Sequence, residues 1–571
     1  MRSRRTADVT ETTEQLAETP DQDGAYPRLS DEQLARLEAQ GRRRATREGD
    51  VLFREGDERY DFCVVLAGKV AVIDGYGSAE ERLIAVHGPR RFLGELGLLA
   101  GQAAFYTAVV REPGEVLVVP VTRLRAVVLQ DSHLGDLLLR AYLTRRERLI
   151  GLGAGFKVIG SRSSPDARRV REFLARNRLP HRWIELEQDS AASALLHQTG
   201  VAPEETPVVI WHGELLRNPS NEELARAVGL SGTAAPTGEV CDLLVVGAGP
   251  SGLAASVYGA SEGLATVTLD AVATGGQAGT SSKIENYLGF PAGISGAELA
   301  ERAAIQARKF GARIAVPAQA VGLEREDGSY RVRLADDNEL LARAVIVASG
   351  ARYRRLPVPR LDEFEATSVY YAATLMEAQL CAGDPIVVVG GGNSAGQATL
   401  FLSRYATELR LVVRGDSLDR DMSRYLAERI ERSAVEVLLS SEVRELDGER
   451  TLEAVVVENR RTGERLRLPA KALFVFIGAD PHTGWLAGAV ALDRNGFVLT
   501  GPAAAAATGD HGDPQHQPLL LETSSPGVLA VGDVRSGSVK RVASAVGEGS
   551  MSVRLVHDFL ERAHQHPHHV P

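Results

Sequence analysis

The sequence predicts a multidomain chain: an N-terminal antiparallel β-barrel, a small α/β unit, and two three-layer, doubly wound α/β domains. Three observations carry that reading. The chain has 571 residues, which at roughly 150 residues per domain makes about four structural units. Its N-terminal part alternates short apolar runs with Gly, as in Val51-Leu52-Phe53, Phe62-Cys63-Val64-Val65-Leu66 and Val116-Leu117-Val118-Val119. That is the spacing of a small antiparallel barrel. From Cys241 onward an apolar strand, a Gly-rich turn and a helix recur, the pattern of parallel sheets covered by helices.

Composition removes several function classes. With 44% hydrophobic and 25% charged residues the chain is neither wholly disordered nor fibrous. A net charge of -10, from 65 Lys plus Arg against 75 Asp plus Glu, argues against a nucleic-acid partner. The three cysteines, Cys63, Cys241 and Cys381, form no C-x-x-C pair, so neither a disulfide framework, a zinc knuckle nor a dithiol motif is available. Residues 1–24 lack the apolar core of a secretion signal, and no apolar run reaches the ~18–20 residues that span a bilayer. A cytoplasmic protein without a membrane partner is expected.

In chain order, the polar residues 1–28 read as a mobile tail. The barrel occupies 29–150, with helical segments near 121–149, and the Gly-rich stretch from Gly151 to Gly155 closes it. Residues 156–230 read as strand (Phe156–Ile159), helix (165–178), strand (182–186), strand (207–211) and a last helix near 221–228. A polar linker, 231–239, precedes the doubly wound part. The His-rich end, His564 to His569, reads as a solvated tail, and no metal site is expected.

The chemistry concentrates in two matching turns. The first runs from the strand Leu243–Val246 into Gly247-Ala248-Gly249-Pro250-Ser251-Gly252 and a small-residue helix. A tight turn that only Gly accommodates delivers a helix N-terminus, whose amides and dipole suit a pyrophosphate. The next strand, Thr266–Leu269, ends in Asp270, 18 positions past Gly252, where a carboxylate can accept from an adenosine ribose. The second turn is Ile386–Val389 into Gly390-Gly391-Gly392-Asn393-Ser394-Ala395. Its following strand ends in Arg414, 19 positions past Ala395, and a cation there favours a 2'-phosphate. Arg420, and Arg424 beside it, can add to that site. Two such turns with opposite charges at the ribose end predict two dinucleotides, FAD at the first and NADPH at the second.

With these residues on view, the sequence from 240 to 560 resembles the low-molecular-weight thioredoxin reductase family, class II pyridine nucleotide-disulfide oxidoreductases. Gly275-Gly276-Gln277 with Ile284-Glu285-Asn286-Tyr287 is similar to that family's flavin-contacting loop. Ala348-Ser349-Gly350 resembles its A-T-G motif, Gly478-Ala479-Asp480-Pro481 its return to the flavin domain, and Gly532-Asp533 its second flavin motif. The resemblance implies two Rossmann-like domains, an FAD domain at 240–355 and 485–562 around an NADPH domain at 356–484. It implies FAD contacts from Gly247, Gly249, Pro250, Ser251, Gly252, Asp270, Gly275, Gly276, Gln277, Asn286, Gly350, Gly532 and Asp533. It implies NADPH contacts from Gly390, Gly392, Asn393, Ser394, Ala395, Arg414 and Arg420, and a homodimer. The family's redox C-x-x-C pair would fall within 369–376, where this chain reads Val-Tyr-Tyr-Ala-Ala-Thr-Leu-Met.

Residues 156–230 resemble a glutaredoxin or thioredoxin domain, with Thr206-Pro207 where that family has a cis-proline. Ser164-Pro165-Asp166-Ala167 stands where its dithiol would be, so the resemblance implies a redox-inert unit. Residues 29–150 resemble a cyclic-nucleotide-binding domain, with Phe92-Leu93-Gly94-Glu95-Leu96-Gly97-Leu98-Leu99 as its phosphate cassette. The family's phosphate-binding Arg has no counterpart in Ala103–Thr107, and losing such a charge-assisted contact costs about 1.5–3 kcal/mol. This implies a domain that has lost cyclic-nucleotide binding and in which Glu95 caps a turn.

The expected function is an FAD-dependent oxidoreductase that takes hydride from NADPH and passes electrons to an acceptor such as a ferredoxin-like protein, a quinone or a disulfide. No protein residue is needed as nucleophile or base, so no catalytic residue is assigned. The alternative is a regulatory flavoprotein of low turnover; a scaffold without cofactor is the least favoured reading.

Overall fold

The computed structural model describes residues 16–565 except 162–163, 190–191, 193–195, 197–199, 203–204, 231–238, 282, 285–286, 327, 366, 372, 374, 450 and 509–516. These residues divide into two compact units. One comprises the chain up to Phe156 with Pro180–Arg182 and Trp211–Glu214; the other comprises Lys157–Leu179, Trp183–Ile210 and everything from Leu215.

The first unit opens with α1 (Asp31–Glu38), started by a capping box between Ser30 and Gln33. Strands β1 (Arg42–Thr46), β2 (Val51–Phe53), β3 (Phe62–Asp74), β4 (Arg82–His87) and β5 (Thr107–Val119) follow, with α2 (Leu96–Ala100) between β4 and β5. Two helices complete it, α3 (Val121–Gln130) and α4 (Ser132–Leu152). The strands pair antiparallel in the order β1-β5-β3-β4, with β2 also on β5. This corrects the expected barrel, because among the described residues no pairing joins β4 to β1. The 13-residue strands β3 and β5 bend through register shifts between Val65 and Val70 instead of closing. The edge strand β1 is exposed at Arg42, Arg43 and Arg44, charges that leave its free edge solvated.

The expected tail over 1–28 is overturned from Thr19 to Tyr26. Residues 1–15 lie outside the described residues, whereas Ala25 and Tyr26 are buried and Thr19 donates its backbone amide to Val86 O at 3.1 Å. Tyr26 lies under the Arg145 and Arg148 guanidinium groups at 5.5 and 5.3 Å, a cation–π seat that composition does not reveal.

Next come β6 (Phe156–Gly160), α5 (Pro165–Arg176), β7 (His181–Glu185), β8 (Val208–Trp211), β9 (Glu214–Arg217) and α6 (Asn221–Ala227). The strands form one sheet, β7-β6-β8-β9, with β6 and β8 antiparallel. Ser164 caps α5, accepting from Ala167 N at 3.2 Å, and Pro165 occupies the first helical position. The Thr206–Pro207 peptide is cis.

The doubly wound part begins with β10 (Val240–Val246), α7 (Pro250–Ser261), β11 (Thr266–Leu269), α8 (Gly296–Lys309), β12 (Arg313–Ala315), β13 (Ala320–Glu326), β14 (Ser329–Leu334) and β15 (Glu339–Val347). The chain then crosses through β16 (Ala351–Tyr353) into an inserted domain. That domain holds β17 (Val369–Tyr370), β18 (Pro385–Val389), α9 (Asn393–Leu402), β19 (Glu408–Val412), α10 (Arg424–Glu431) and β20 (Glu436–Leu438). It continues with β21 (Ser441–Asp447), β22 (Ala454–Asn459), β23 (Arg465–Pro469) and β24 (Ala472–Val475). The chain returns through β25 (Ala479–Pro481), which pairs with β16, to β26 (Val528–Ala530) and α11 (Val542–Gln565).

The outer domain's sheet runs β12-β11-β10-β15-β14-β13 with β26 on β15; β12, β11, β10, β15 and β26 pair parallel with one another, whereas β15–β14 and β14–β13 are antiparallel. The inserted domain's sheet runs β17-β24-β18-β19-β20, all parallel. In β10 and β18 the last four residues are buried, as strands covered on both faces require. No helix among the described residues is long and apolar enough to cross a membrane.

Candidate functional site

At the first Gly-rich turn the chain leaves β10, and Gly247 sits at φ +110, a conformation that side chains disfavour. A Cβ there would lie 2.3 Å from Ala348 O, and one at Gly252 would lie 1.8 Å from Gly247 O. The turn is therefore folded against its own backbone and against the end of β15. Gly249 caps α7 without any side-chain hydrogen bond, and Pro250 fills the first helical position, so the helix N-terminus is left for an anion. Ser251 is buried in that first turn.

Two distant segments close on this turn. The loop after β11 is stitched to it, since Gly275 N donates to Ala248 O at 2.7 Å, and a Cβ on Gly276 would stand 3.0 Å from Gly249 Cα. Gln277 Nε2 donates to Ala351 O, at the start of the crossing strand β16. Gly350, at φ +67, accepts from His482 N at 3.0 Å. From the C-terminal side, Gly532 approaches so closely that a Cβ on it would be 2.6 Å from Ser251 Oγ. Asp533 beside it is half-buried, and burial raises its carboxyl above the ordinary value. The sequence positions 247–252, 275–277, 350 and 532–533 thus converge. Asn286 lies outside the described residues.

Asp270 behaves differently from a free ribose acceptor. Its Oδ2 accepts from Ala248 N at 2.9 Å, and its Oδ1 from Val272 N and Ala273 N at 3.0 Å each. The carboxylate therefore fixes the Gly-rich turn to the following loop, with lone pairs still available to a ligand. Sequence reasoning missed Glu548 on α11, which accepts from Gly532 N at 2.7 Å and pairs with Arg535. No motif marks it; a lone Glu in a helix gives no signal that it orients a turn.

The second turn repeats the construction. Gly390 is at φ +147, and a Cβ on it would meet Phe476 O at 2.3 Å. Gly392 caps α9 with no side-chain hydrogen bond, Asn393 Oδ1 accepts from Ser423 N at 2.7 Å, Ser394 is exposed and Ala395 is fully buried. Arg414 follows β19 by two residues; it and Arg420 are exposed, with no ion-pair partner among the described residues. Arg424, in contrast, pairs with Glu428 at 3.0 Å.

Both cradles fit a dinucleotide: the backbone is pressed together where glycine is needed, and each ends in an uncapped helix N-terminus. The residues also fit a mechanism without thiols. Cys381, nearest to the second turn, is buried, donates to Glu377 O at 2.9 Å, and is pushed by burial up to about 12.

The family model described as pyridine nucleotide-disulphide oxidoreductase matches residues 241–549, more than half of the chain. The chain belongs to that family. Its relatives bear out the two-domain construction of this oxidoreductase. It is 30% identical to a "34.2 kDa protein in rubredoxin operon" of Clostridium pasteurianum, over 56% of this chain and 97% of that protein. It is 30% identical to the thioredoxin reductase of Bacillus subtilis, over 57% of this chain and 96% of the relative. The crystal structure of Lactococcus lactis thioredoxin reductase superposes with a TM-score of 0.51 at 27% identity, covering 56% of this chain and 99% of that one. The oxidoreductase is thus thioredoxin reductase-like in its C-terminal half.

The remaining part carries a second match, the cyclic nucleotide-binding domain, over residues 43–131. Its cassette glutamate is engaged by the chain's own groups. Glu95 caps α2 by accepting from Gly97 N at 2.9 Å, and its Oε2 accepts from Arg146 Nε at 2.8 Å. Both side chains are 1% exposed, and Arg146 also reaches Gln102 Oε1 at 2.9 Å. The cassette's carboxylate is engaged by a guanidinium of α4.

Proposed function

We propose that this oxidoreductase binds FAD at the turn 247–252 and NADPH at the turn 390–395, and moves reducing equivalents from NADPH to an external acceptor. When bound, FAD supplies the ring that accepts hydride and releases electrons singly or in pairs. The chain's own residues orient and exclude water. Gly247, Gly249, Pro250, Ser251 and Gly252 would hold the pyrophosphate of FAD, and Gly275, Gly276, Gln277, Asn286 and Gly350 would contribute further contacts to it. Asp270 and Asp533 would accept from its hydroxyls. Gly390, Gly392, Asn393, Ser394 and Ala395 would form the NADPH cradle, and Arg414 with Arg420 would meet the 2'-phosphate. The single observation that carries this reading is the pair of cradles in which a Cβ would strike backbone at 2.3 Å or less.

The acceptor is a redox protein, a quinone or a small disulfide reached without a protein thiol, because all three cysteines are buried. The domain limits follow the sequence: FAD domain 240–355 and 485–562, NADPH domain 356–484, a redox-inert thioredoxin-like unit 156–230, and a cyclic-nucleotide-binding-like domain 29–150 that no longer takes cyclic nucleotide. The unit acts as a homodimer, by likeness to the thioredoxin reductases. Anaerobic titration of the purified protein with NADPH and with NADH, followed by a panel of acceptors, tests the proposal. Bleaching of a flavin band by NADPH in preference to NADH is expected, and a protein that neither carries nor takes up flavin refutes it. Flavin that is reduced but reoxidised by no acceptor would favour a regulatory role, for which the match to a cyclic nucleotide-binding domain speaks.

A further inference from the structure

The helix α5 of the small unit carries two adjacent arginines with different employment. Arg169 serves its own neighbourhood, donating to Pro219 O at 2.9 Å and Asn218 Oδ1 at 3.0 Å and pairing with Asp166. Arg168 has no carboxylate partner among the described residues. Its Nη2 donates to Val369 O at 3.3 Å, and its guanidinium lies 5.9 Å from the Tyr370 ring. Val369 and Tyr370 form β17, the edge strand of the inserted domain's sheet. The neighbouring carbonyl, Ser368 O, accepts from Leu473 N, so by strand alternation the Val369 carbonyl faces away from the sheet, toward α5.

The other end of α5 holds the outer domain. Asn177, its C-terminal cap, bridges Phe173 O at 2.9 Å and Val272 O at 3.0 Å through the same side-chain nitrogen. Arg176 and Arg178 line a cavity with Thr274, Gly276 and Thr280, the loop that Gly275 stitches to the first Gly-rich turn. Arg168 and Asn177 are nine residues apart, about 13 Å along a helix. Within that length α5 touches both dinucleotide-binding domains, which the chain itself joins through its crossings at β16 and β25. Two domains joined this way move relative to one another unless a further contact holds them.

We propose that α5 braces the inserted domain against the outer domain, with Arg168 and Asn177 as positioning residues for reduction of the flavin by NADPH. This rests on the two-cofactor reading above. The small unit thus has a mechanical role that needs no thiol, consistent with Ser164 being spent as a helix cap.

The test uses the full chain loaded with FAD and compares the parent with Arg168→Ala/Asn177→Ala. Small-angle X-ray scattering reads the domain arrangement, and anaerobic stopped-flow reads flavin reduction at saturating NADPH. The expected result is unchanged flavin content, a broadened distance distribution, and a severalfold slower reduction with the NADPH dissociation constant retained. Arg168→Lys, which keeps a donor for Val369 O, restores most of the rate. Scattering and reduction identical to the parent in a flavin-loaded variant, or a faster reduction, would overturn the brace. Should the double variant melt early, Asn177→Asp, which removes only the amide donor to Val272 O, carries the same two readouts. A parent protein without flavin would refute the two-cofactor reading instead, while scattering alone still tests the brace.

Discussion

The turn at 247–252, proposed for flavin, and the turn at 390–395, proposed for the pyridine nucleotide, reach the same shape with different last residues and opposite charges after the next strand. At 247–252 a Cβ on Gly252 would sit 1.8 Å from Gly247 O, so the last position has room for nothing larger than glycine. At 390–395 the corresponding residue is Ala395, which the turn accommodates at full burial. The acid at the end of β11 is engaged by three backbone amides, whereas the base beyond β19 is exposed and has no ion-pair partner among the described residues. Strand, turn and helix N-terminus set the cradle, and the charge after the next strand sets which ribose it prefers. In the flavin-side copy that charged group also holds the turn itself.

The comparison is broken most severely by Gly252→Val. Its side chain would meet backbone that cannot move aside, and a loss above about 4 kcal/mol is expected, read by denaturant unfolding together with absent flavin absorbance. Gly390→Ala, with Phe476 O at 2.3 Å, should instead keep FAD bound and abolish reduction by NADPH, which stopped-flow absorbance reads.

A third turn, the cassette around Glu95, sharpens the contrast because its carboxylate is already paired with Arg146. Arg146→Ala leaves that buried carboxylate alone and should cost about 3–5 kcal/mol, measured by chemical unfolding. Titration calorimetry of the parent with cyclic nucleotide should show no heat of binding. Arg414→Asp should weaken NADPH by about 1.5–3 kcal/mol, or roughly ten- to a hundredfold in Kd, without loss of flavin.

The smallest effect concerns pH. Burial raises the folded-state Asp533 carboxyl above its unfolded value, so ionisation is disfavoured in the fold. Its contribution to stability is full below the ordinary carboxylate value of about 4 and is lost as pH rises through the raised one. Asp533→Asn should flatten that part of the Tm-against-pH curve in the flavin-free protein; an unaltered curve would place the titration elsewhere.

Much of the site was legible because glycine is informative where backbone is crowded. Gly247, Gly252 and Gly390 announce their turns in one dimension, since their need arises from contacts a few residues away or from the adjoining strand. The strand Thr266–Leu269 was found at its full length by its β-branched alternation. The strand Glu214–Arg217 was not, because two half-exposed leucines between charges carry no distinct period. The barrel expectation failed on a property that patterns do not contain: alternation gives the strands of a sheet but not whether its ends meet. The tail expectation failed at Tyr26, whose partners Arg145 and Arg148 lie more than a hundred positions away.

By itself, then, the sequence determined the kinds of element, the two Gly-rich cradles and the absence of a C-x-x-C pair. Those depend on local sterics and on which atoms are present. Only the tertiary structure decided that Gly532 closes on Ser251 under the hold of Glu548, that Arg146 occupies the N-terminal cassette, and that Arg168 and Asn177 face different domains. Those depend on pairs of residues brought together from distant positions, where a single Glu, Arg or Asn looks the same in the chain whether solvent or a buried partner awaits it.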